Sequence, residues 1–161
     1  MKSQQIARYA LLMALAMVLS WLESMVPVAT AVPGVKLGLT NLVVIFALYR
    51  MSLRDAAAIS FIRVLLVSMT FGNAYSFAYS FAGAALSLAV MAMLRKTGKF
   101  SMLGVSVAGG VSHNVGQILV AMTVLETARL VYYLPVLMIS GIAAGICIGV
   151  VGAIITKRIR I

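Results

Sequence analysis

Residues 74–99, AYSFAYSFAGAALSLAVMAMLRKTGK, decide what kind of protein this is. From Ala74 to Leu94 the run contains no Asp, Glu, Lys, Arg or His, and it then closes on Arg95, Lys96 and Lys99. At about 1.5 Å per residue such a helix spans roughly 30 Å, the thickness of a bilayer's hydrocarbon core. A basic close is the mark of a helix that leaves the membrane on its cytoplasmic side. Reading outward from this stretch, five more apolar runs appear, so that the spans lie at roughly 6–26, 37–49, 53–71, 74–94, 101–125 and 131–156. The second is short, about two-thirds of a core thickness, and suits a tilted or partly re-entrant element.

Composition supports the same reading. Of 161 residues, 63% are hydrophobic and 10% charged, against about 25% charged in an ordinary soluble domain. The mean hydropathy is +1.12. Water is therefore not the main solvent, and the expected fold is all-α: a single integral membrane domain over 1–161, a polytopic six-transmembrane-helix bundle.

The net charge of +10 would suggest nucleic acid only if the cations formed a patch, and they do not. Lys2, Arg8, Arg50, Arg54, Arg95, Lys96, Lys99, Lys157, Arg158 and Arg160 all fall in alternate connections or at the termini, while Lys36 and Arg129 fall in the others. By the positive-inside rule this predicts a multi-pass protein of the bacterial cytoplasmic membrane with both termini cytoplasmic. A cleavable signal peptide is the competing reading of the N-terminus, with Ala29-Thr30-Ala31 as its small-residue site. The run from Ile6 to Val26 is long for a signal core, and Trp21, Glu23 and Ser24 interrupt its end. Cys147, the one cysteine, lies in an apolar run between Gly145 and Gly149 and reads as an inert helix residue.

Arg63 is the remaining cation, and it sits inside a span. A charge in the hydrocarbon region costs a few kcal/mol unless paired, so it marks a functional site by default. Ser60 and Thr70, at offsets of three and seven, share its helical face. The chain's acidic residues are Glu23, Asp55 and Glu126, so Arg63 either pairs with Glu23 or awaits an anionic ligand. The fifth span carries Gly109-Gly110-Val111-Ser112-His113-Asn114-Val115-Gly116-Gln117. His113 and Gln117 share a face, with Asn114 beside it, at a depth comparable with Arg63. The candidate ligand site therefore lies between the third and fifth spans, at or above mid-membrane. Asn41, Tyr75, Tyr79, Trp21 and Glu23 could complete it, and the connection Pro27 to Gly38 could cover it. The packing alternative is that the glycines let helices approach while His113, Asn114 and Gln117 bond across them. Gly141, Gly145 and Gly149, and Ser76, Ser80, Gly83 and Ser87, repeat the same small-residue spacing.

Two motifs, Pro33-Gly34-Val35-Lys36-Leu37-Gly38-Leu39-Thr40-Asn41 and the Gly109 to Gln117 run, resemble those of the Gx transporter family, also labelled heptaprenyl diphosphate synthase component I. That family is grouped with the substrate-binding S components of energy-coupling factor (ECF) transporters. The resemblance implies a six-helix binder of a small molecule, a vitamin, cofactor or precursor, held at Arg63, His113, Asn114, Gln117, Asn41 and Tyr79. It also implies docking of a coupling transmembrane subunit on Ala10 and Ala14, together with an ATPase pair. The chain has no Walker-type Gly-Lys-Ser or Gly-Lys-Thr loop of its own. No catalytic residue, bound metal or cofactor is expected: prenyl elongation needs clustered carboxylates for Mg²⁺, and the three acidic residues are far apart. The alternative is a non-catalytic scaffold subunit of an isoprenoid/quinone- or flavin-linked redox system.

Overall fold

The computed structural model describes residues 3–25 and 38–159. Six α-helices follow one another: α1 (Ser3–Met25), α2 (Asn41–Arg50), α3 (Leu53–Phe71), α4 (Ala74–Thr97), α5 (Met102–Val124) and α6 (Leu134–Arg158), the last preceded by a 3₁₀ segment, Ala128–Tyr133. The second apolar run becomes helical later than its hydropathy suggests, at Asn41 rather than 37, because Gly38 takes a left-handed φ of +69° and leads a turn. The expected cover from Pro27 onward, Gly38 apart, lies outside the described residues.

Local chemistry sets the boundaries. Ser52 and Asp55 form a capping box that starts α3. The Asn73 side chain accepts the Ser76 N–H at 2.9 Å to start α4, and Ser101 accepts the Gly104 N–H at 3.2 Å to start α5. Gly98, at φ +68°, ends α4 in the left-handed conformation that a Cβ would strain.

Among the described residues, α1, α4, α5 and the segment Ala128–Arg158 are long and apolar enough to cross a membrane. This is a multi-pass membrane protein. α3 has 19 residues but includes Arg54, Asp55 and Arg63, and α2 has only ten.

The shortest helix is the most deeply enclosed. Val43 through Leu48 of α2 are each no more than 5% exposed, and the core built on them takes Leu12 and Ala16 from α1, Ile59 from α3, Leu88 and Met91 from α4, Val105 from α5 and Ile148 from α6. A helix that is apolar all round belongs in a core or in a membrane, and α2, enclosed by its neighbours, takes the first place. Its last turn is held by two cations: Arg50 donates to the Thr156 carbonyl, and Arg95 donates to the Leu48 carbonyl while lying 5.1 Å above the Tyr49 ring. Positive charge at a helix C-terminus also favours the macrodipole. The Tyr9 hydroxyl donates to Asp55 at this same end of the bundle, joining α1 to α3.

The other half is packed through glycine. A Cβ on Gly110 would come within 2.4 Å of the Gly141 carbonyl oxygen, on Gly145 within 2.6 Å of Val107 Cα, and on Gly116 within 2.8 Å of the Ala82 oxygen. α5 is thereby pressed against α6 on one side and α4 on the other.

Candidate functional site at the head of α2

α2 begins inside the bundle. The N–H groups of Asn41, Leu42 and Val43 donate to the carbonyls of Gly38, Leu39 and Thr40 at 2.8, 3.1 and 3.1 Å, so the helical path is led in by Gly38 to Thr40. Arg50 anchors the far end, which puts Gly38 about 18 Å above it along the axis. Two neighbouring helices reach this head. The Gly38 N–H donates to Glu23 Oε1 of α1 at 2.6 Å. Arg63 Nη1 of α3 donates to Thr40 Oγ1 at 2.6 Å. Thr40 stands where a helix-capping side chain belongs, yet its hydroxyl makes no cap and serves the guanidinium instead.

Thr40 is 3% exposed and Arg63 8%. Glu23 is the charge that acts on the guanidinium through space. Arg63 Nε and, on α1, Ser20 Oγ are buried with no hydrogen-bond partner among the described residues. Unsatisfied buried donors cost about 1–3 kcal/mol each, more for charged groups, so this cluster exceeds what packing alone calls for.

The second predicted cluster is arranged differently. Asn114, 8% exposed, donates to the Leu137 carbonyl at 2.5 Å and to Ser140 Oγ at 3.4 Å, tying α5 to α6. His113 and Gln117 are half-buried against α4, where a Cβ on Gly83 would lie 2.8 Å from Gln117 Cγ and 3.1 Å from His113 Cδ2. α3 and α5 do not pack together; α4 stands between them. Of the residues expected to line one site between the third and fifth spans, Arg63 stands with Thr40 at the head of α2 and Asn114 stands against α6. The glycine faces of α4 and α5 draw those two helices together. Tyr79 is half-buried on α4, and Tyr75 is exposed.

Asn41 belongs to a third feature. With Gly38, Ser87, Ser106, Gly109 and Gly145 it lines a cavity of ≈ 20 Å³ between α2, α4, α5 and α6. That volume holds about one water. Ser87, 2% exposed, has an Oγ without a partner among the described residues. A vitamin-sized molecule enters this cavity only if helices separate. Thr40, Ser20, Ser87 and Ser106 are residues that sequence reasoning missed. The usable signal was spacing: Ser20 lies three residues before Glu23, and Thr40 is the last hydroxyl before an apolar run.

Ala10 and Ala14 are exposed on α1, away from its buried stripe of Leu12, Ala16 and Ser20.

Fold and site together define a multi-pass helical membrane protein with a buried charged site where a half-length helix begins. Residues 12–155 match the family model of heptaprenyl diphosphate synthase component I, and the chain belongs to that family. The match takes in the whole head of α2 and both polar clusters. No curated protein and no solved structure matches the chain.

Proposed function

We propose that this protein is a substrate-binding membrane subunit, similar to ECF S components, of a small-molecule uptake transporter. The observation that carries the reading is the buried Arg63 guanidinium at the N-terminal end of a helix that stops partway through the bundle. Unwound backbone and half-helix ends at mid-membrane depth are how transporters meet polar ligands without exposing them to lipid. Both features favour an anionic or carbonyl-rich small molecule. In this reading all six helices lie in the membrane and the end bearing Arg50, Arg95 and Lys157 faces the cytoplasm. The outward alanines Ala10 and Ala14 receive a coupling transmembrane subunit, and a separate ATPase pair supplies energy. Asn41 and Tyr79 join the ligand site when the bundle opens, and His113, Asn114 and Gln117 shape its wall from α5.

The family's name favours a second reading, a subunit of a prenyl diphosphate synthase or of an isoprenoid- or flavin-linked redox assembly. Here the chain acts as a non-catalytic scaffold. Its three carboxylates, Glu23, Asp55 and Glu126, are committed to different ends of the fold and form no group of three with His or Cys among the described residues. The Mg²⁺ of diphosphate chemistry sits on clustered carboxylates.

Gentle release from native membranes, followed by mass spectrometry of bound small molecules and co-purifying subunits, separates the two. ATPases and a small ligand support transport; prenyl-transfer or redox proteins without ATPases support the scaffold. If a vitamin and cofactor panel stabilises nothing, and Arg63→Ala leaves uptake unchanged, the transport reading falls.

A further inference from the structure

We propose that the head of α2 is an oxyanion-binding site whose built-in occupant is the Glu23 carboxylate, displaced when the carboxylate or phosphate of a ligand enters. The inference takes the binding-site part of the reading above and does not require transport.

The receptor side of the argument is geometric. The leading amide of the α2 turn, Gly38 N–H, points at Glu23 Oε1 at 2.6 Å, and the first peptide units of a helix carry partial positive charge that favours anions. The Arg63 guanidinium reaches the same head through Thr40. One backbone donor and one buried cation thus stand at the same helix head, two residues apart in their anchoring, and an oxyanion already occupies the backbone donor. The incumbent fills the head incompletely. Arg63 Nε remains without a partner among the described residues, as does Ser20 Oγ, three residues before Glu23 on α1. An arginine fork matches a planar or tetrahedral oxyanion with paired hydrogen bonds, and Glu23 makes none directly to it.

The carrier of the incumbent is also the helix best able to withdraw it. The α1 span is 17% buried, against 22–28% for the other long apolar spans. Among the described residues, α1 is fixed at Asp55 toward one end, at Gly38 toward the other, and by its buried stripe of Leu12, Ala16 and Ser20 between. A free oxyanion that replaces Glu23 releases one end of α1 and satisfies the spare donors. Binding and helix movement are then one event.

Chemical rescue tests this with formate, acetate and inorganic phosphate as probes on detergent-purified protein. Thermal unfolding is followed by fluorescence of Trp21, the one tryptophan, two residues from Glu23. Glu23→Ala is expected to lower the midpoint by about 5 °C, as loss of a charge-assisted hydrogen bond does in a chain this long. Formate or phosphate then restores at least half of the loss in a saturable manner, while chloride at equal ionic strength does not. Recovery by formate and acetate identifies a carboxylate ligand, and stronger recovery by phosphate identifies a phosphate-bearing one. The wild-type protein, its site filled, shifts far less. Recovery must vanish in Glu23→Ala/Arg63→Met.

Equal response to chloride, or recovery that survives loss of Arg63, overturns the proposal. Should Glu23→Ala fail to fold, Glu23→Gln decides: its amide keeps an acceptor for Gly38 but no charge, so formate or phosphate must stabilise it more than wild type, and an equal effect overturns the proposal. ATPases and uptake do not enter the readout. A protein that passes this test and never associates with an ATPase refutes transport alone.

Discussion

The α4–α5–α6 half and the α1–α2–α3 half solve opposite problems. In the first, backbones touch: Gly110 and Gly141 meet so closely that a single methyl group has nowhere to go. Asn114 there is spent on joining helices, through the Leu137 carbonyl, while Ser87 Oγ stands at the small cavity without a partner among the described residues. In the second, α1 is held at its ends by Tyr9 to Asp55 and Glu23 to Gly38, and charged donors remain in surplus around Thr40. A polar group in a membrane bundle is thus no guide to function by itself. What separates Asn114 from Arg63 is that the first spends its amide on a neighbouring helix, while the second is a charge that keeps a buried donor without a partner among the described residues.

Substitutions can break or sharpen that contrast. The largest effect is expected from Gly110→Ala, whose Cβ would meet a backbone oxygen at 2.4 Å. It should lose more than about 3 kcal/mol and most of its monodisperse material on gel filtration; normal folding would remove the distinction between the halves. Asn114→Ala should lower stability by about 2 kcal/mol through loss of its bond to the Leu137 carbonyl, read as a thermal shift. Thr40→Val should cost about 1.5 kcal/mol, because it strips the acceptor from a buried guanidinium, and its sensitivity to added oxyanions should rise. Arg63→Met should change stability by no more than about 1 kcal/mol, since an apolar replacement also removes the burden of burying the charge. It should nevertheless abolish ligand-induced stabilisation, and a ligand that still stabilises this variant would place the site elsewhere. Smallest of all is Gly152→Ala, where the Cβ would lie 3.3 Å from Ile45 Cγ2 and a side-chain methyl can yield. A thermal shift corresponding to less than about 0.5 kcal/mol is expected there.

Much of the architecture was legible in the residue order. The run 53–71 and the start at Ala74 coincide with α3 and α4, because apolar length and the caps Ser52, Asp55 and Asn73 are local signals. Arg63 stood out for an equally local reason, a charge in an apolar run. Its partner did not, since Thr40 is 23 residues away and is brought near only by the burial of α2. Nor did residue order reveal that α4 separates Arg63 from His113. Helix order around a bundle is set by which glycine faces meet, and several small-residue stripes were available to choose from. Glu23 was anticipated as a possible partner of Arg63; that it would hold the Gly38 amide depended on a left-handed turn no periodicity displays.

The ten residues of α2 carry a consequence for how the chain is made. A helix about 15 Å long is too short to leave the insertion machinery as an independent membrane segment. It is joined to α3 by the short Met51–Ser52 link, and the contacts that hold its last turn await the synthesis of α4 and α6. Arg95 and the Thr156 carbonyl, the groups that clamp its last turn, are both downstream of it by more than forty residues. The enclosure of α2 is therefore complete only once the last helix of the bundle has been made.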